Sequence, residues 1–153
     1  MTNTQSPADR FSVLSIRRGM TLGALYSSNR DDFALVLAAA ASMFEPDRTY
    51  RERDVNDVLR GWLAGAGSML DVDHVELRRW LVDNLLLERD GFGRAYTLGK
   101  PPQEVAAVVA ALSGVDLAAM GEAARKSDAI AREARKRKWV DGRPADIQPA
   151  RRG

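Results

Sequence analysis

The sequence predicts a mainly helical protein carrying one small β-hairpin. Apolar residues recur at three- and four-residue spacing through most of residues 31–112, and two short runs flank the turn Asp90-Gly91-Phe92-Gly93. Glycines and prolines punctuate the chain between these segments. A chain of 153 residues suffices for one compact domain with tails.

The first ten residues are polar, without apolar periodicity, and read as a loose terminus. Phe11, Val13, Leu14 and Ile16 come next as a short helix or extended piece, interrupted at Gly19, and Leu22, Leu25 and Tyr26 form a second small piece. From Asp31 the pattern sharpens. Two acids occupy a first turn, and Phe33, Val36, Leu37, Ala40, Met43 and Phe44 mark an amphipathic helix that ends near Glu45-Pro46. Thr49 and Glu52 have capping-box spacing, in which hydroxyl and carboxylate each satisfy a free backbone N–H. The helix they open buries Val55, Val58, Leu59, Trp62 and Leu63.

Gly65 and Gly67 end that helix in a loop, and Asp71 or Asp73 caps the next, with Glu76 placed to complete a second box. Leu77, Trp80, Leu81 and Leu85 face inward, and the helix runs to about Leu86. Leu87 to Arg89 and Arg94 to Leu98 then pair as the hairpin. Pro101-Pro102 open a helix from Gln103 to Leu112, and a last helix starts near Asp116 and continues into Lys138. Its apolar stripe (Leu117, Met120, Ala124, Ala131) fades, so its second half is expected to project into solvent.

Helix, helix, loop, helix, hairpin is the order of a winged helix-turn-helix, here with additional C-terminal helices. The predicted organisation is an N-terminal extension over 1–30, a winged-helix-like domain over 31–113, a basic helix over 114–140 and a flexible tail over 141–153.

Composition narrows the function classes. The 45% hydrophobic and 29% charged content is ordinary for a globular protein. Without cysteine, disulfides, thiolate chemistry and cysteine-based zinc sites are excluded, and a cytoplasmic setting is expected. Met1 to Arg10 lacks the apolar stretch of a signal peptide, and the run Phe33 to Phe44 is too short to span a bilayer. The net charge of +2 hides an uneven distribution. Between Thr49 and Asp90 nine acidic residues face six basic ones, whereas from Arg125 onward ten basic residues face four acidic ones.

The stretch Phe44-Glu45-Pro46-Asp47-Arg48-Thr49-Tyr50, with Glu52, Val55-Asn56, Asp73-His74, Leu77-Arg78-Arg79-Trp80-Leu81-Val82-Asp83, Glu88-Arg89 and Tyr96, resembles the DUF2087 family over roughly Leu35 to Leu98. This is a bacterial domain of unknown function, found alone or behind ArsR-type helix-turn-helix domains. The resemblance implies a winged-helix-like fold in a regulatory setting and no particular reaction. The thirty residues before Asp31 are too short for a separate ArsR-type reader, so DNA contact is expected of this domain or of the basic tail.

Arg78 and Arg79 lie on the third helix, the recognition helix of a winged helix, where arginine contacts guanine edges or phosphates. The competing structural role is an ion pair with Asp54, Asp57, Glu76 or Asp83, since acids crowd this region. Asn56 reads as a structural polar residue. Arg89, Phe92 and Arg94 on the wing offer phosphate contacts and an exposed aromatic, although Phe92 packing back on the hairpin fits equally. Arg132, Arg135, Lys136, Arg137 and Lys138 beside Trp139 combine phosphate neutralisation with a stacking ring; the alternative is a solvated helix end.

His74, the single histidine, has no cysteine partner, and Asp71, Asp73 and His74 match no closed metal site. No P-loop, dinucleotide fingerprint or Gly-x-Ser-x-Gly elbow is present. No catalytic residue, metal or cofactor is therefore assigned. The expected partner is nucleic acid, DNA in the first instance, or a regulatory protein, and Leu117 with Met120 supplies an apolar seam on which a homodimer would form.

Overall fold

The computed structural model of the protein describes residues 5–92 and 94–152, with side chains to residue 140. Among the described residues the order is α1 (Pro7–Leu14), α2 (Leu22–Ser28), α3 (Arg30–Ala41), β1 (Tyr50–Arg51), α4 (Glu52–Ala64), α5 (His74–Asp83), β2 (Leu87–Arg89), β3 (Ala95–Leu98), α6 (Gln103–Leu112) and α7 (Leu117–Arg152). The protein is mainly helical, with a three-stranded antiparallel sheet in the order β1-β3-β2. The hairpin pairs Leu87 with Leu98 and Arg89 with Tyr96, and β1 closes the other edge of β3 by pairing Tyr50 with Tyr96.

The helix at the centre is α3, contacted by α1, α2, α5 and α6. Residues 35–41 are buried on every side, so the helix reads as a core helix rather than a surface one with a single apolar stripe. Its run of alanines lets α6 approach closely, and Leu112 of α6 is fully enclosed. α4 and α5 pack against each other through Val55, Leu59, Leu77 and Leu81, all removed from solvent. An aromatic cluster joins α2, α3 and α5: Phe33 meets Tyr26 at 5.1 Å and Trp80 at 5.2 Å, both edge-on.

The loose terminus expected over residues 1–10 is corrected for residues 7–10, which form the first turns of α1. Ser6 caps the helix, its hydroxyl accepting from the Asp9 N–H at 3.1 Å, and Pro7 stands at the first helical position. Phe11 and Leu14 are completely buried, which stabilises the segment by about 1.5–3 kcal/mol for each side chain. Leu22 and Leu25 of α2 join the same core, so residues assigned to an extension carry part of the hydrophobic interior. The linker between α1 and α2 is stitched to the α4–α5 loop by Met20, whose N–H donates to Met69 O at 2.9 Å and whose carbonyl accepts from Asp71 N–H at 2.6 Å.

Several local expectations are overturned. Thr49 does not cap α4; Arg51 is the N-cap and makes no side-chain capping bond, because Tyr50-Arg51 is engaged as β1 in the sheet. Glu52 instead accepts from the Tyr96 hydroxyl at 3.4 Å. Asp73 caps α5 by accepting from Glu76 N–H at 2.8 Å, but the Glu76 carboxylate does not close the box; it accepts from the Trp80 indole N–H at 3.1 Å. α3 stops at Ala41, which shifts the helical phase beyond that point and leaves Met43 51% exposed.

α5 likewise ends at Asp83, short of Leu86. Leu85 takes φ 67°, its N–H donates to Val82 O at 3.1 Å, and the Leu86 N–H reaches back to Leu81 O at 2.9 Å. These are the two bonds of a Schellman motif, with leucine where glycine is favoured. The left-handed turn sends Leu85 outward, 56% exposed, instead of into the core.

α7 begins with Asp116 accepting from Ala119 N–H at 3.0 Å and packs on α1. Gly121 lies against Ser15, and Arg125 Nη1 donates to Ser15 O at 3.4 Å. Leu117 is 4% exposed and Met120 packs beside the core, so these two residues are used within the chain and do not offer the seam expected of them. From Arg132 to Val140 every side chain is exposed. Over residues 141–152, expected as a flexible tail, the backbone continues as helix α7, and the side chains there lie outside the described ones.

Candidate nucleic-acid interface

The cations picked from the sequence fall into three groups. The first is a cleft of about 150 Å³ between α5 and the sheet, lined by Val75, Arg78, Arg79, Val82, Asp83, Arg89 and Tyr96. Arginines from α5 and from β2 thus meet at one concavity, although ten residues of chain separate Arg79 from Arg89.

Arg78 is half-buried and held in place. Its Nη1 donates to Asn56 Oδ1 on α4, and its guanidinium carbon stands 6.0 Å from the centre of the Tyr96 ring. The ion pairs weighed for Arg78 and Arg79 do not form among the described residues. Asp57 pairs with Arg60 at 3.2 Å and Glu76 takes the Trp80 indole, while the partner of Arg78 is a neutral amide. Asn56 is accordingly a structural polar residue, one that positions an arginine. Arg79 and Arg89 are exposed and make no ion pair among the described residues.

The second group is the wing tip. Asp90 Oδ1 accepts from the backbone N–H groups of Phe92 at 3.1 Å and Arg94 at 2.9 Å, and Asp90 N–H donates to Ala95 O at 2.9 Å. This carboxylate shapes the turn, and Phe92 stands 79% exposed with the Arg94 guanidinium 5.2 Å from its ring centre. Phe92 therefore does not pack back on the hairpin. Gly93 lies outside the described residues.

The third group is the outer part of α7. Arg132, Arg135, Lys136 and Trp139 line one shallow groove with Ala129 and Glu133, as spacings of three and four residues require on a helix. Arg132 also pairs with Asp128 at 3.0 Å. Arg137 and Lys138 are exposed, and Trp139 is 59% exposed.

His74 sits at the start of α5 with its Nε2 at 3.4 Å from Arg60 Nη2. No group of three His, Asp or Glu side chains suited to a metal ion occurs among the described residues. No single helix there is long and apolar enough to cross a membrane.

Two contributors to the cleft, Asn56 and Tyr96, were not among the predicted site residues. The signal for Tyr96 was its place on the inward face of the hairpin; for Asn56, lying on another helix, sequence spacing carries no signal.

Residues 25–98, spanning part of α2 through β3, match the model of a family described as an uncharacterized protein conserved in bacteria, DUF2087. Over these 74 of its 153 residues the chain is similar to DUF2087 domains. The DUF2087 segment thus contains the whole α5–sheet cleft and the wing, and begins ten residues earlier than the resemblance in the sequence indicates. α1, α6 and the basic arm of α7 lie outside it, although α1 and α6 complete its core. No curated protein and no solved structure matches the chain.

Proposed function

We propose that this protein is a small winged-helix-like regulator, acting in the cytoplasm, that binds nucleic acid without chemistry. The observation that carries the reading is the convergence of Arg78 and Arg79 of α5 with Arg89 of the hairpin on one cleft. The order α3-β1-α4-α5-β2-β3, with β1 against β3, supports it, since in such a frame α5 is the helix that enters the major groove and the hairpin is the wing. The arm of α7 adds exposed cations and an exposed indole, suited to counterion release and stacking. DNA is the expected target.

Fluorescence-anisotropy titration of mixed-sequence duplex DNA across a salt series tests this. Binding with a steep salt dependence, reduced by Arg79→Ala in a variant that melts like the parent, is the expected result. Absence of binding at low salt would sink the reading for free duplex.

A second reading rests on a different surface. Asp73, Glu76, Arg79, Trp80 and Asp83 line a shallow depression beside the cleft, where three carboxylates flank an aromatic. That chemistry suits a basic segment of a regulatory protein, and it predicts capture of a cationic peptide that is lost on Glu76→Gln with Asp83→Asn.

A further inference from the structure

We infer that the cleft between α5 and β2 seats a single phosphate group. The inference deepens the nucleic-acid reading, in which that group is a backbone phosphodiester; a free phosphomonoester offers the same chemistry.

Size is the first argument. Pockets for whole ligands run to about 300–1,000 Å³, so a concavity of about 150 Å³ admits one small charged group and not a nucleotide. Charge is the second. Three guanidiniums line the space against one carboxylate, Asp83, and none of the three forms an ion pair among the described residues. Like charges held around one concavity repel, and an anion between them removes the repulsion while accepting their hydrogen bonds.

Preorganisation is the third. Arg78 is anchored through Nη1 to Asn56 and backed by the Tyr96 ring, so its fork is oriented before any ligand arrives. The Tyr96 hydroxyl is already donated to Glu52, which leaves the ring as the floor of the cleft. Val75 and Val82 form apolar walls, which strengthens charge-assisted bonds made between them. On this geometry Arg78 is a phosphate clamp and not a base reader, which divides the labour of the two adjacent arginines of α5.

The test uses full-length protein, following arginine Nε–H resonances by NMR during titration with inorganic phosphate against chloride at matched ionic strength. Duplex DNA is then titrated by anisotropy. Phosphate is expected to shift Arg78, Arg79 and Arg89 and to leave Arg135 and Arg137 unmoved. Arg89→Gln, an exposed change that spares the fold, is expected to weaken phosphate binding about tenfold or more and to make the duplex salt slope shallower by about 1. A phosphate response at the cleft without duplex binding supports the inference, assigns the ligand to a free phosphate ester and removes the nucleic-acid reading. Duplex binding with no phosphate response at the cleft, and an unchanged slope in Arg89→Gln, overturns the inference and leaves nucleic-acid binding to the arm. Shifts of equal size at cleft and arm also overturn it, because they report a diffuse anion atmosphere.

Discussion

Arg10 on α1 grips the buried carboxylate of Asp32 on α3 through two bonds, Nη2 to Oδ2 at 2.6 Å and Nε to Oδ1 at 3.0 Å. Asn29, the N-cap of α3, donates to the same carboxylate at 3.0 Å. The contact ties a helix outside the DUF2087 segment to the central helix within it. Arg10→Ala leaves a buried charge with one neutral partner, and because Arg10 is itself partly exposed the cost is expected at about 2–3 kcal/mol, below that of a fully buried pair. Urea unfolding of Arg10→Ala against the parent measures it.

The same pair makes a prediction about pH. The hydrogen bond with Asp32 raises the Arg10 pKa above its ordinary value; burial opposes this and the charge of Asp32 adds to it. A base with a raised folded pKa contributes stability that is fully present below its unfolded pKa and is lost only as pH rises through the folded value, here in strong alkali. The stability difference between parent and Arg10→Ala should thus stay flat between roughly pH 6 and 9. A steep fall across that window in matched urea melts would mean that another group carries the contact.

Leu85 holds φ 67° at the end of α5 while exposing most of its side chain. Glycine relieves the left-handed strain and gives up little buried surface, so Leu85→Gly should gain about 0.5–1 kcal/mol in thermal or urea unfolding. A loss of stability would show that the exposed leucine contributes more through packing than the turn costs.

Two glycines of the α4 region should respond in opposite directions to alanine. A Cβ on Gly67 would collide with the ring of buried Trp62, so Gly67→Ala is expected to cost about 1–3 kcal/mol. A Cβ on Gly61, inside α4, meets nothing within 4 Å, and Gly61→Ala should stabilise by roughly 0.5–1 kcal/mol. Paired melting curves decide both.

Neutralising the arm separates binding from folding. Arg135→Gln, Lys136→Gln and Arg137→Gln together remove three exposed cations, and stability should stay within about 0.5 kcal/mol of the parent. If all three neutralise phosphates, the slope of log affinity against log salt should fall by about 2.7. An unchanged slope would exclude the arm from the contact.

The elements legible in the sequence were those whose signals are local. Helical spacing located α3, α4, α5 and α6, Pro101-Pro102 marked the start of α6, and the Asp90-to-Arg94 turn located the hairpin, because periodicity and turn chemistry act within a few residues. The cation-rich, apolar-poor composition after Arg125 likewise predicted an exposed arm. Long-range relations were decided only by the tertiary structure. Tyr50-Arg51 became a strand instead of a cap because β3, through Tyr96 and Ala95, offered a distant partner in register. Phe11 and Leu14 made α1 part of the interior because the core had room for them, which no propensity records. The cleft has the same origin: Arg78, Arg79 and Arg89 were visible one by one, but their convergence over Tyr96, with Asn56 holding Arg78, depends on how α4, α5 and the sheet pack. Local chemistry selects each element, whereas a shared site exists only once burial has set the distances between elements.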